Sequence, residues 1–380
     1  HSPMQVADGF FEKFAHLEPK LRARDPQQEE VPMTRAALAM CENLDWNVGR
    51  VLTRLEELKL ADNTIVVYFS DNGPASWRWN GGMKGRKGSV DEGGLRVPFL
   101  MRWPGHIRPG ARIPQIAGAI DLLPTLTDLA GIPPTGKKPL DGRSLKPLLL
   151  GKAAWPDRLI FSLQGNQVSV RSQQYRLDAG GRLFDMQADP GQEKDISGDR
   201  PEVTDKLRQA VANWRKEVLP AGGDDRPFTV GYSKTTQLPA RDGVPGGGIR
   251  RSSVHPNSSF FTNWTSKEDW ITWDVEVAQT AAYDARLYFT CPREDTGSTI
   301  ELSFNGARVQ SKVEQANDPP LVGAEFDRVP RIESYVKDFK PMPAGVIRLA
   351  KGRGKLTLRA TEIPGKQVAD VRYLTLTVRQ

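Results

Sequence analysis

Between residues 34 and 60, apolar side chains recur at helical spacing: Leu38, Cys41, Leu44, Val48, Leu52, Leu55 and Leu58. That spacing predicts one long helix with a core-facing stripe. Asp62-Asn63 breaks it, and Thr64 to Phe69 is a near-continuous apolar run that predicts a buried strand. A long helix feeding such a strand predicts a parallel sheet covered by helices. Residues 75 to 95 hold Gly81, Gly82, Gly85, Gly88, Gly93 and Gly94, so they read as a loop. Pro98 to Trp103 reads as a second strand, closed by Pro104-Gly105. Asp121 to Ala130 reads as a short amphipathic helix ended by Gly131.

Polar and apolar residues then begin to alternate. Val168-Ser169-Val170 and Tyr175-Arg176-Leu177 predict a small antiparallel sheet within 159–187, followed by a helix from Pro201 to about Leu219. Pro220-Ala221-Gly222-Gly223-Asp224-Asp225 has the composition of a linker. Beyond it Ile271, Trp273, Val275 and Val277 alternate with polar neighbours. Ile300, Leu302 and Phe304 do the same, as do Leu356, Leu358, Leu374, Leu376 and Val378. Asn305-Gly306 is a strong hairpin signal. The expected organisation is an α/β domain over 1–150, a small antiparallel sheet with a helix over 151–221, and an all-β sandwich of the jelly-roll sort over 226–380.

Composition narrows the functional classes only a little. The 380 residues suffice for two domains with their own cores. The formal charge of +7 comes from 53 Lys and Arg against 46 Asp and Glu. These charges are dispersed rather than striped, so nucleic acid is not the implied partner, and a polyanionic substrate is the milder inference. Mean hydropathy is -0.49, and no apolar run is long enough to span a bilayer. The chain shows no signal peptide and opens at His1 without an initiator Met. Cys41 and Cys291 lie far apart, so neither a disulfide nor a cysteine metal site is expected. Cys41, on the long helix, is expected in the core.

The chemistry concentrates after the first strand. Asp71 and Asn72 sit just past its carboxyl end, where open α/β sheets bind ligands. Both offer oxygen to a hard cation, and Ca²⁺ takes about six to eight such ligands, so a complete site needs others. The same Asp-Asn-Gly-Pro run also suits a plain turn capping a strand. Lys84, Arg86 and Lys87 lie among glycines that let main chain approach a ligand, an arrangement suited to sulfate or phosphate. It equally suits a solvated basic loop.

Several ordered motifs carry a resemblance. Ser70 to Pro74, the loop ending Asp91-Glu92-Gly93-Gly94-Leu95-Arg96-Val97-Pro98, and Arg102-Trp103-Pro104-Gly105 are similar to segments of the type I, formylglycine-dependent sulfatases. Asp121-Leu122-Leu123-Pro124-Thr125-Leu126, Leu140-Asp141-Gly142-Arg143-Ser144-Leu145 and Leu183-Phe184-Asp185-Met186 continue it over residues 1 to about 219. The resemblance implies a partial alkaline-phosphatase-like fold and hydrolysis of sulfuric esters, in sulfated carbohydrate or aryl sulfate. It implies that Asp71 and Asn72 are Ca²⁺ ligands and that Lys87 contacts the sulfate and neutralises the leaving oxygen. His1, heading His-Ser-Pro-Met, matches the family's His-x-Pro histidine. Lys84 is assigned toward the sugar, and Trp77, Arg78, Trp79 and Asn80 to the rim that reads the substrate. The family's periplasmic or secreted location is implied as well.

The family's nucleophile is a formylglycine formed in a Cys/Ser-x-Pro-x-Arg segment, and these 380 residues contain no such segment. The family's N-terminal Asp-Asp metal pair is absent too. The resemblance therefore implies the latter part of a longer enzyme, inactive alone. A phosphomonoester or phosphonate hydrolase of the same superfamily stays open, as does a non-catalytic binder of sulfated glycans. In the C-terminal domain Trp270, Thr272, Asp274 and Glu276 are expected to share the face opposite Ile271 and Trp273. Trp270 is a candidate sugar platform, or it packs under a loop; the domain loosely resembles carbohydrate-binding sandwiches.

Overall fold

The computed structural model describes every residue except 1, 134–135, 137, 152–154, 220–224 and 380. The chain divides into two compact units, one of residues 6–221, the other of residues 222–380 together with 2–5. Most of the expected linker lies outside the described residues.

The first unit runs through the helices α1 (Asp8–Phe11) and α2 (Val31–Glu57), then strand β1 (Val66–Phe69), α3 (Glu92–Leu95) and β2 (Phe99–Arg102). Next come α4 (Leu122–Leu129) and α5 (Lys146–Leu149). Strands β3 (Ile160–Gln164), β4 (Gln167–Arg171), β5 (Tyr175–Leu177) and β6 (Leu183–Asp185) form a sheet in that order, closed by α6 (Pro201–Val218). Pro32 sits in the first turn of α2, where its missing N–H costs nothing.

Four expectations are corrected here. Strands β1 and β2 pair antiparallel, Val66 opposite Arg102 and Phe69 opposite Phe99. The connection between them, the long glycine loop with the single-turn α3, brings the chain back in the opposite direction, so no parallel pair forms. Nor is β1 buried: Val66 to Tyr68 are half-buried, and Phe69, Phe99 and Leu100 are exposed. The stripe on α2 is only partly covered, with Val48, Leu52 and Leu55 half-buried. Leu38, Leu44 and Leu58 are exposed, and the residues that α2 buries are Thr34, Ala36 and Ala39. Cys41 is exposed rather than in the core, and it is a free thiol. Helical periodicity marks an apolar face; it does not say what lies against that face.

Buried ion pairs tie this unit together. Asp121, fully buried, accepts from Arg158 Nη1 at 2.7 Å, from the Arg143 amide at 2.8 Å and from the Gly118 amide at 2.9 Å. Among the described residues, apolar packing in this unit forms small clusters such as Leu129, Leu145, Leu148 and Leu149, or Val170, Leu177, Leu183 and Leu207.

The second unit is a β-sandwich. Its strands are β7 (Phe228–Val230), β8 (Thr235–Pro239), β9 (Val244–Gly246), β10 (Arg250–Arg251), β11 (Phe261–Thr262), β12 (Trp270–Val277) and β13 (Ala281–Thr290). They continue with β14 (Thr299–Phe304), β15 (Ala307–Lys312), β16 (Lys340–Leu349), β17 (Gly352–Glu362) and β18 (Asp370–Val378). One sheet is ordered β10-β11-β18-β13-β16 with β8 also on β18; the other is β15-β14-β17-β12-β7 with β9 also on β12. Ile271, Trp273, Val275, Leu287, Leu302, Leu358 and Leu374 face one continuous core. Asn305 and Gly306, both at positive φ, make the two-residue turn between β14 and β15. The segment Ser2–Gln5 packs within this unit: Ser2 Oγ donates to Glu333 at 2.8 Å, and the Arg328 amide donates to the Met4 carbonyl at 2.9 Å.

Candidate active-site wall

Strand β1 delivers Ser70-Asp71-Asn72 to its carboxyl end, and main-chain contacts fix the residues beyond it. The Gly73 amide donates to the Gly94 carbonyl at 2.9 Å. A side chain on Gly73 would collide with the Gly93 carbonyl, so the turn rests directly on α3. Coming back, the loop hangs from the same turn: the Lys87 amide donates to the Pro74 carbonyl at 2.9 Å. The side chain of Lys87 is exposed. The metal-type turn and the cationic loop therefore meet through backbone.

Asp71 is exposed and Asn72 half-buried. Asp71 Oδ1 accepts the Asn72 amide at 2.9 Å, and Asn72 Nδ2 donates to the Gly73 carbonyl at 2.8 Å. These bonds leave Asp71 Oδ2 and Asn72 Oδ1 as hard oxygen donors, which suits Ca²⁺ chemically. They are two of the several ligands it needs. Among the described residues no cluster of three or more His, Cys, Asp or Glu could hold a metal.

The loop is self-supporting. Asn80 Nδ2 donates to the carbonyls of Met83 at 3.1 Å and Gly85 at 3.2 Å. Gly85 has φ +85, a conformation that strains other residues. Arg86 donates to the Ala75 carbonyl at 2.6 Å and lies over the half-buried Trp77 ring, 5.4 Å from its centroid. Arg78 is half-buried and donates to Ser76 Oγ at 3.3 Å. Burial pulls its pKa down, with the Cys41 thiol opposing. Trp79 is the rim residue most open to solvent, 56% exposed.

Lys84 is engaged elsewhere than at an open rim. Its ammonium lies 2.9 Å from Asp178 Oδ2 and 3.1 Å from Asp91 Oδ1. Asp178 sits between β5 and β6 and also accepts the amides of Gly180 and Arg182, each at 2.9 Å. Burial alone would raise its pKa, but the Arg182 amide, Lys84 and the Arg182 guanidinium together hold its carboxyl below the ordinary range.

A second anchor escaped sequence reasoning. Glu92, buried at the start of α3, lies 2.6 Å from Arg176 Nη2 and 3.6 Å from Arg171 Nε. Arg176 also donates to the Val90 carbonyl and to Ser169 Oγ, each at 3.0 Å. Gln192 accepts the Glu92 amide at 2.8 Å and donates to Asp91 Oδ1 at 3.1 Å. It does so from a left-handed backbone, φ 58, uncommon for a side chain of its kind. The small sheet is thus the scaffold that holds the Lys87 loop. One signal was available: an arginine between Tyr175 and Leu177 in an alternating strand implies a buried carboxylate partner.

Of the remaining expected residues, His1 lies outside the described residues. Trp270 is 38% exposed, opposite Gly246 on β9 and Arg359 on β17. The face assigned to it differs in one member, since Thr272 is buried.

Comparison with known proteins matches this part of the chain to sulfatases. A sulfatase family model matches residues 1–132, and a model of the N-sulphoglucosamine sulphohydrolase C-terminal region matches residues 86–217. Human arylsulfatase A is 44% identical over 123 residues, 31% of this chain and 24% of that protein. Bovine arylsulfatase A is 34% identical over 231 residues, 51% of this chain and 45% of that protein. The mouse steryl-sulfatase is 43% identical over 122 residues, 30% of this chain and 20% of that protein. The solved structure titled Ps i-CgsB in complex with k-i-k-neocarrahexaose superposes with a TM-score of 0.50 at 27% identity, covering 56% of this chain and 47% of that one. The chain thus spans between a fifth and a half of the length of these relatives. The matched region has the alkaline-phosphatase-like sulfatase fold, and over residues 1–217 the chain is similar to the sulfatases.

Proposed function

We propose that this chain supplies one wall of a sulfuric-ester hydrolase site that acts on sulfated carbohydrate or aryl sulfate. The observation that carries the reading is the junction of the Asp71-Asn72 turn with the Lys87 loop through the Lys87–Pro74 and Gly73–Gly94 hydrogen bonds. It brings a hard-cation donor pair and an exposed ammonium to one strand end. Ca²⁺ held by Asp71 Oδ2 and Asn72 Oδ1 would supply positive charge for a sulfate oxygen. Lys87 neutralises charge building on the ester oxygen as the S–O bond breaks, a role its strongly hydrated, flexible side chain suits. Trp77, Arg78, Trp79 and Asn80 form or support the rim where the substrate is read, with Trp79 offering the open aromatic surface. His1 takes the place of the family's His-x-Pro histidine.

With no Cys/Ser-x-Pro-x-Arg segment in its 380 residues, the chain holds no nucleophile, and we expect it to be silent alone. The family's periplasmic or secreted location is proposed for it. No helix among the described residues is long and apolar enough to cross a membrane. The test is hydrolysis of a chromogenic aryl sulfate and of the matching phosphate ester with excess Ca²⁺. It is run on this chain alone and on the chain extended by the coding sequence upstream of His1. Silence of the first and Asp71- and Lys87-dependent sulfate release by the second is expected. Robust turnover by the chain alone, or preference for phosphate, defeats the reading.

A further inference from the structure

The sandwich carries a surface that the hydrolase reading does not use. On the β15-β14-β17-β12 sheet the inward residues fill the core, and the outward residues form cross-strand rows. Register places Gln310 opposite Glu301, Glu301 opposite Arg359, and Arg359 opposite Trp270. One row thus crosses four strands and ends on an indole.

Each member is held. Trp270 lies over Gly246, where any side chain would run into the ring, so a bare backbone seats the indole. Arg359 puts Nε at 3.0 Å and Nη2 at 2.7 Å on Glu301 Oε1, and Gln310 donates to Glu301 Oε2 at 3.2 Å. Arg308 stands 4.0 Å from the same carboxylate. Glu301 is buried beneath these groups, while the Arg359 and Arg308 side chains are 45% and 64% exposed. Lys355 joins them at the edge of a shallow cleft that they line with Ser303 and Thr357. Arg359, Arg308 and Lys355 stand outward around the buried Glu301, with exposed Asp274 opposite Lys355, so the face keeps a net positive charge, and the row that bears Arg359 ends on the indole.

We propose that this face binds sulfated sugar: the indole under the apolar side of a pyranose ring, Arg359 and Arg308 on its sulfate. The inference rests on the sulfated-carbohydrate reading above and makes the sandwich the unit that holds the polymer. A cross-strand row that carries a planar cation fork and ends on an indole suits a ring bearing an anionic ester. A nucleic-acid backbone would meet too few cations here, with Asp274 exposed two rows away, opposite Lys355.

The experiment is calorimetric titration of the whole chain with a sulfated galactan oligosaccharide and its desulfated counterpart. The variants are Trp270→Ala and the double Arg308→Gln/Lys355→Gln, whose side chains are not in the core. Thermal melting checks each fold. Both variants are expected to lose about tenfold in affinity, and the desulfated sugar to bind about tenfold more weakly than the sulfated one. Added salt should weaken binding to the wild type more than to the double variant. Equal binding of the two sugars, unchanged affinity in well-folded variants, or a preference for an oligonucleotide overturns the proposal. If Asp71→Ala abolishes binding and Trp270→Ala does not, the ligand sits at the sulfatase wall; the sandwich proposal then fails and the hydrolase reading survives. Sandwich-dependent binding by an extended protein that prefers phosphate esters reports the reverse.

Discussion

The two units solve the problem of cohesion in opposite ways. Among the described residues, the sandwich buries one contiguous cluster from Val230 to Leu376, drawn from both sheets. The sulfatase-like unit, among its described residues, has small apolar clusters and leaves Leu44, Trp46, Phe69, Leu100 and Leu123 exposed. Buried charges therefore carry more of its cohesion: Asp121 with Arg158, and Glu92 with Arg176 and Arg171, where the sandwich adds pairs such as Asp327 with Arg331 to an already continuous core. Two facing sheets with period-2 alternation close a core between themselves. One-sided helices and a two-stranded ribbon cannot, and specific ion pairs then decide how the segments meet. Area holds one unit, and charge geometry holds the other.

The sharpest way to break this contrast is to remove its largest pieces. Trp273 is fully buried and its indole donates to the Pro239 carbonyl at 3.0 Å. Trp273→Ala should cost the sandwich about 3–5 kcal/mol. In a denaturant titration this shifts the sandwich transition and leaves the other in place. A shift of both would mean that the units unfold as one. In the sulfatase unit Arg158→Met strands the buried Asp121 carboxylate, a loss of about 3 kcal/mol or more. A cost below about 1 kcal/mol, the worth of a surface pair, would remove charge as the organising force there.

Acid offers a gentler probe. The Asp178 carboxyl is held low when folded, whereas in the unfolded chain it titrates near its ordinary 3.8. Its contribution is present above that value, shrinks as the unfolded state takes up the proton first, and is gone once the folded carboxyl protonates. The stability gap between wild type and Asp178→Asn should therefore narrow on acidification; a gap independent of pH contradicts the assignment. The thiols differ between units as well. Burial, assisted by Asp295, Asp318, Asp370 and Glu294, pushes Cys291 up to about 11, while Cys41 is exposed. A thiol reagent at mildly alkaline pH should label Cys41 alone until denaturant is added. Smallest of all, Leu100→Ser on exposed β2 should change stability by no more than about 0.5 kcal/mol. A drop as large as that of a core residue would mean that Leu100 has a partner in solution.

Legibility in the sequence followed the same divide. Strict alternation and Asn305-Gly306 predicted the sandwich and its hairpin, because period and turn chemistry are local. The 27-residue helix was legible to within three residues at each end, but its apolar stripe did not predict burial. Antiparallel pairing of β1 with β2 was hidden, since it depends on how the glycine loop seats against α3. The engagement of Lys84 by Asp178, and of Glu92 by the small sheet, joins residues about ninety positions apart. Nothing local encodes such a pairing, so Lys84 was legible as a cation near the site and not as a strut.

The contact between Gly73 and the Gly93-Gly94 backbone has an evolutionary consequence. The gap between the turn bearing Asp71-Asn72 and the loop bearing Lys87 is set by main chain against main chain, with no side chain whose exchange could widen or narrow it. It acts as a fixed gauge. Relatives that take different esters are then expected to vary at the rim, in side chains such as Trp79, while keeping the same gauge beneath.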